Sequence, residues 1–167
     1  MRSLNRIVMQ KHSRDWINSL GPEGLDVLEL SGKWGQSFPF RNYRFANRWK
    51  FDPCKGPMLD EAGKVVRFDL ILANQVWEHV DRPYAATRNI FRMLRPGGWF
   101  WLAVPFLAPF HGAPVDCSRW TARGLKNLLV EGGSRRTGCK AINGAIAMLR
   151  RGIWKPRGPR RCMTVTT

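Results

Sequence analysis

Residues 68–105 read FDLILANQVWEHVDRPYAATRNIFRMLRPGGWFWLAVP. They contain the sharpest alternation of signals in the chain. FDLILA, 68–73, is a short apolar run of the kind a buried parallel strand requires. PYAATRNIFRML, 83–94, puts Ala86, Ile90, Met93 and Leu94 on one helical face, with Pro83 suited to the first turn. RPGG, 95–98, is a turn. WFWLAVP, 99–105, is a second apolar run, closed by proline. Strand, helix, turn and strand in that order predict a parallel pair covered by a helix.

The same alternation extends outward. Upstream, LDVLELSG at 25–32 is another apolar run closed by small residues, and 42–52 has room for a short strand. Residues 53–64 carry Pro53, Gly56, Pro57 and Gly63 and read as loop. Residues 4–20 space Ile7, Val8, Trp16, Ile17 and Leu20 at helical intervals and stop at Gly21-Pro22. Downstream, a proline-containing loop, FLAPFHGAPVDCSRW, leads to a helix beginning near Thr121. No internal repeat is present, and the one compositional shift falls at about Gly133. The expected organisation is an α/β domain over 1–131, with a mostly parallel sheet and helices on both faces. An atypical basic tail over 132–167 follows, disordered or out of frame, in which the last strands are missing or atypical.

Composition narrows the function classes. The chain has 167 residues, 44% of them hydrophobic, which suits one core. No apolar run approaches the ~20 residues of a membrane span, and the basic N-terminus has no apolar stretch behind it. The expectation is a cytoplasmic protein with no membrane partner. Cys54, Cys117, Cys139 and Cys162 form no C-x-x-C pair, so reduced, mostly buried thiols and no metal site are expected. The net charge is +16, and nine basic residues with no acidic one follow Glu131. A nucleic-acid partner rests on that tail alone and is not favoured.

Three segments carry a resemblance: VLELSGKWG at 27–35, FDLILANQVWEHVDRP at 68–83 and NIFRMLRPGGWFWLAVP at 89–105. In order and spacing they resemble class I S-adenosylmethionine-dependent methyltransferases of the small-molecule type, in a bacterial subset with a variant LEISG-like loop. The resemblance covers about residues 1–131. It implies a Rossmann-like sheet, S-adenosyl-L-methionine as cofactor, and transfer of a methyl group to a small-molecule or glycan-type acceptor. The cofactor would lie outside the carboxyl ends of the strands, where the strand order switches. Glu29 would then face its methionine end. Small residues at Ser31, Gly32 and Gly35 would allow close approach. Asn74 and Gln75, just past the 68–73 strand, would border it. The family loop has three glycines, and two of those positions are here Ser31 and Lys33. The second strand lacks the acidic end that grips a ribose; Asn47 is the nearest polar residue and Asp52 follows. Residues 45–67 are few for the strands and helix usual there. These departures keep open a second reading, a non-catalytic relic or binding module that retains the fold.

The acceptor side rests on Glu78 and His79, and on His111, Asp116 and Arg119 in FHGAPVDCSRWTARGLKNLL at 110–129, which resembles a segment of that subset in which the loop after the 99–105 strand closes the acceptor pocket. Glu78 and His79 read either as a helix start with a surface histidine or as a base that orients the acceptor. Asp116 and Arg119 read either as a loop-pinning ion pair or as substrate contacts. Trp77, Trp99, Trp101 and Trp120 read as core or pocket wall.

Residues 134–167 admit three readings: a basic arm, an amphipathic helix at 141–151, or an out-of-frame translation. Ile142 to Ala147, back-translated and read from the third base, can spell Gln-Trp-Gly-Asn-Arg, a stretch the resembling subset carries after this helix. That favours the third reading. Pro156, Pro159 and the repeated glycines argue against any continued ladder. The oligomeric state is not fixed by the sequence.

Overall fold

The computed structural model describes residues 4–47, 49–133, 139–142 and 146–151. Helix α1 (Leu4–Ser19) leads into β1 (Asp26–Leu30) and β2 (Asn42–Ala46). Then follow β3 (Phe68–Asn74), α2 (Pro83–Met93), β4 (Leu94–Ala103) and α3 (Ala122–Glu131). Two short strands, β5 (Cys139–Ile142) and β6 (Ile146–Arg150), come last. One sheet holds all six described strands in the order β2-β1-β3-β4-β6-β5. The first four run parallel. The chain steps from β1 outward to β2 and then back to β3 on the other side. The strand order therefore switches between β1 and β3.

Strand alternation divides the core in two. Val27, Leu70, Leu72, Trp101 and Ala103 point to the α1 side, where they pack with Met9, Ile17 and Phe38. Leu28, Leu30, Ile71, Ala73, Phe100 and Leu102 point to the other side, against Ile90 and Met93 of α2 and Leu125, Leu128 and Leu129 of α3. Each fully buried Leu, Ile or Phe contributes roughly 1.5–3 kcal/mol. Helices on both faces of a mostly parallel sheet are what the apolar runs predict.

Details of the ends differ from expectation. Residues 95–98 are not a turn that precedes a strand. β4 starts at Leu94, directly after α2, and carries 95–98 as an irregularity: Phe68 pairs with Leu94, and the next pair is Leu70 with Trp99. Gly97 takes φ 82°. A Cβ on Gly98 would lie 3.0 Å from the carbonyl oxygens of Arg95 and Asp69. The glycine pair is thus required by the bulge. Thr121 caps α3, its hydroxyl accepting the Gly124 N–H at 3.0 Å.

The tail is where the reading of the sequence is corrected. The sheet does not stop at β4, and residues 141–142 and 146–150 are strand rather than helix. β6 pairs antiparallel with β4, from Trp99↔Arg150 to Ala103↔Ile146, and β5 pairs antiparallel with β6. Arg151 continues the ladder, exchanging backbone hydrogen bonds of 2.8 Å with Gly97 and Gly98. The C-terminal strands are atypical in being short, and they are not missing. Composition averaged over 134–167 hid them, because the arginines and prolines flank the apolar stretch IAML rather than interrupt it. An open β4 edge also favours any strand able to cover it. The out-of-frame reading and the proline breakers concern 134–138, 143–145 and 152–167 as well, which lie outside the described residues.

The cysteine expectation also changes. Cys54 is half-buried and Cys117 exposed, both free thiols, because both lie in loops rather than under a helix.

Candidate active site

The carboxyl ends of β1, β2 and β3 and the loops after β3 and β4 meet at one edge of the sheet. Glu29, near the end of β1, is 1% exposed. Its carboxylate accepts the N–H groups of Trp34 at 3.2 Å and Gly35 at 2.7 Å, and the Tyr43 hydroxyl at 2.7 Å. It thereby holds the loop 31–37 from below. The glycines follow from this: a Cβ on Gly32 would sit 2.5 Å from Glu29 Oε1, and one on Gly35 would sit 2.8 Å from Oε2. Ser31 takes φ 55° and its N–H reaches the Ala46 carbonyl at 2.9 Å. Lys33 stands with its ammonium 5.4 Å from the Phe45 ring centroid. Tyr43 is a member the sequence reading missed; burial, then its bond to Glu29, pushes its phenol up. Its signal was its place in β2, directly beside β1.

Past β2, Asn47 folds the chain back. Its side-chain oxygen accepts the Lys50 N–H at 3.0 Å, and its carbonyl accepts the N–H groups of Lys50 and Phe51. Asp52 accepts the Cys54 N–H at 2.9 Å. It lines a cleft of about 330 Å³ with Trp49, Phe51, Lys55, His79 and Asp81. The turn at Asn47 therefore carries a carboxylate to this edge although β2 itself ends without one.

Past β3, Gln75 takes φ 57° and its N–H bonds the Ala103 carbonyl at 2.7 Å. The Asn74 side-chain oxygen accepts the indole N–H of Trp101 at 2.9 Å. Its Nδ2 is buried and makes no hydrogen bond.

Glu78 and His79 lie on a single 3-10 turn, Trp77–His79, and not on the start of α2. Glu78 is 1% exposed, so it is not a surface carboxylate capping a helix. Burial raises its carboxyl to about 7 against the nearby His111 and Arg119. One oxygen has no partner; the other lies 3.9 Å from His79 Nε2. His79 Nδ1 meets the Val115 carbonyl at 2.5 Å. A carbonyl only accepts, so Nδ1 carries the proton and Nε2 is left for another partner. The His79 and His111 rings pack edge to face, centroids 4.7 Å apart.

The loop after β4 is laced onto this turn. The Glu78 carbonyl accepts the N–H groups of Cys117 at 2.7 Å and Ser118 at 3.3 Å. Asp116 accepts the His111 N–H at 2.8 Å and both terminal nitrogens of Arg119. Arg119 holds the Asp116 carboxyl down at about 2. Arg119 also donates to the Pro109 carbonyl at 3.0 Å. Asp116 and Arg119 form the loop-pinning pair. Trp77 and Trp101 are core.

A sequence model of the methyltransferase domain matches residues 6–137. The chain belongs to the methyltransferase-domain family. Solved methyltransferases share its fold. One is 1,6-didemethyltoxoflavin-N1-methyltransferase of Burkholderia thailandensis, solved with its substrate and S-adenosylhomocysteine. It is 18% identical, with a TM-score of 0.63 over 86% of this chain and 78% of that one. Another is a methyltransferase of Haloferax volcanii in complex with the Trm112 methyltransferase activator, 13% identical with a TM-score of 0.58 over 89% and 95%. An S-adenosylmethionine-dependent methyltransferase of Mesorhizobium loti is 14% identical, with a TM-score of 0.53 over 82% and 96%. No curated protein sequence matches.

Proposed function

We propose that this methyltransferase-domain protein uses S-adenosyl-L-methionine to methylate a small-molecule or glycan-type acceptor. The observation that carries the reading is the buried, half-unpartnered Glu78 carboxyl at the strand ends. The orphaned amide of Asn74 at the β1/β3 switch supports a bound cofactor there, since buried donors in native structures have partners.

Bound at this edge, the cofactor supplies an electrophilic methyl group. The chain's own residues do the rest. Glu29 orders the loop of Ser31, Gly32 and Gly35 by holding its N–H groups. Asn47 sets the turn that brings Asp52 to the cleft, where its carboxylate suits a ribose hydroxyl. Asn74 and Gln75 border the amino-acid end. His111 faces the acceptor from a loop that Asp116 and Arg119 hold rigid. Glu78, with His79 beside it, takes the acceptor's proton. Methyl transfer is governed by positioning, and a base matters where the acceptor must lose a proton.

A carboxyl near 7 makes such a base half-charged at neutral pH. The test is methyl transfer to a panel of hydroxyl, amine and sugar acceptors. Turnover should rise with pH through about 7 in the wild type, and Glu78→Gln should abolish it with cofactor affinity unchanged. A Glu78→Gln variant with wild-type turnover would remove Glu78 from the chemistry.

A further inference from the structure

Asn74 ends β3 at the point where the strand order switches, and its neighbours settle its orientation. An indole N–H only donates, so the Asn74 atom 2.9 Å from Trp101 Nε1 is the amide oxygen. The amide nitrogen is then fixed on the other side, buried and without a partner. Trp101 cannot swing to release it. It is 1% exposed, and the Trp16 ring of α1 stacks on it with centroids 4.9 Å apart. Residues with an unpaired buried donor bear the full desolvation cost unless a ligand supplies the acceptor. A cationic or apolar ligand group gains nothing from two N–H donors; an anionic oxygen gains most.

We infer that Trp101 is a positioning residue for cofactor binding: its indole N–H fixes the Asn74 amide so that the buried Nδ2 donates to the carboxylate of the cofactor's amino-acid end. This rests on the cofactor reading above and adds which atom of the cofactor is recognised and through which pair of residues. α1 takes part, because the Trp16 stack holds Trp101 in place. The N-terminal helix is therefore coupled to the site through Trp101.

Two ligands separate the claim from a structural role. S-adenosylhomocysteine carries the carboxylate; 5′-methylthioadenosine lacks the amino-acid end entirely. Calorimetry is run with both on the full chain. Asn74→Asp keeps an oxygen for Trp101 and sets a negative charge against the ligand carboxylate. It should weaken S-adenosylhomocysteine by roughly 10- to 100-fold, the scale of a charged hydrogen bond, with methylthioadenosine unchanged within about twofold. Trp101→Phe keeps an aromatic ring against Trp16 and removes the N–H together with part of the buried ring. It should weaken S-adenosylhomocysteine several-fold and leave methylthioadenosine alone. Equal losses for both ligands, or none in Asn74→Asp, overturn the inference. Wild-type protein that binds neither ligand overturns the cofactor reading itself, a distinct outcome.

Discussion

The two ends of the parallel sheet carry similar side chains in opposite states. At the amino end, Asp26 and Asp69 face Arg41 and Arg95. Arg95 lies 2.7 Å from Asp26 and 2.6 Å from Asp69, and Arg41 lies 2.8 Å from Asp26. The Asp26 N–H and Asn42 amide close the network. The hydrogen bond from Arg41 is the main cause that holds the Asp26 carboxyl well below the usual range. At the carboxyl end, Asn74 Nδ2, Glu78 Oε2 and Arg119 Nε are buried without partners. Charges that complete one another make a finished joint. Polar atoms left over after the chain has folded mark the end built for something else.

Breaking the comparison starts with an exception, since Glu29 and Asp116 at the carboxyl end are themselves paired. Glu29 lies at the carboxyl end but is fully satisfied, so it should behave as structure. Glu29→Ala strands three donors and should cost about 3 kcal/mol in urea unfolding, besides losing cofactor affinity. A variant of wild-type stability would show that the loop does not depend on it.

Glu78 comes next, because an unsatisfied buried carboxyl opposes folding once charged. Its folded value of about 7 lies above the ordinary 4.5. The native state therefore holds the proton more tightly than the unfolded chain. Stability should fall as pH rises from about 4.5 to about 7, by up to about 3 kcal/mol. Glu78→Gln should flatten that window, which denaturation at several pH values measures directly. An unchanged slope would place the titration elsewhere.

At the amino end, Arg95→Ala should cost about 1 kcal/mol, since the pair is partly exposed and screened by solvent. Cofactor affinity should not move. A large loss of affinity would mean that the two ends are coupled and the contrast is false. The smallest effect belongs to the tail. Removing 152–167 should leave S-adenosylhomocysteine affinity within about twofold of wild type, because every proposed contact lies between Glu29 and Arg119.

Much of this was legible in the residues. β1, β3, α2 and α3 each announce themselves through an apolar run or a 3.6-residue face with clear stops. The strand ends alone put Glu29, Asn74 and Glu78 at or just past the carboxyl ends of β1 and β3. What could not be read was the use made of them. Glu29 is aimed at its own loop, a consequence of Gly32, Gly35 and Tyr43 converging in space. The Glu78 turn is buried because Cys117 and Ser118 close on it from forty residues away in the chain. β5 and β6 escaped because local composition describes a segment, whereas an open sheet edge recruits a few residues inside it.

The central claim is that the carboxyl edge holds S-adenosyl-L-methionine, and thermal unfolding with S-adenosylhomocysteine tests it most directly. A ligand bound only by the native state stabilises it by about 2.7 kcal/mol at a hundredfold excess over its Kd. The account predicts a rise in Tm that grows with ligand concentration and disappears in Glu29→Ala. No rise at millimolar ligand would contradict it.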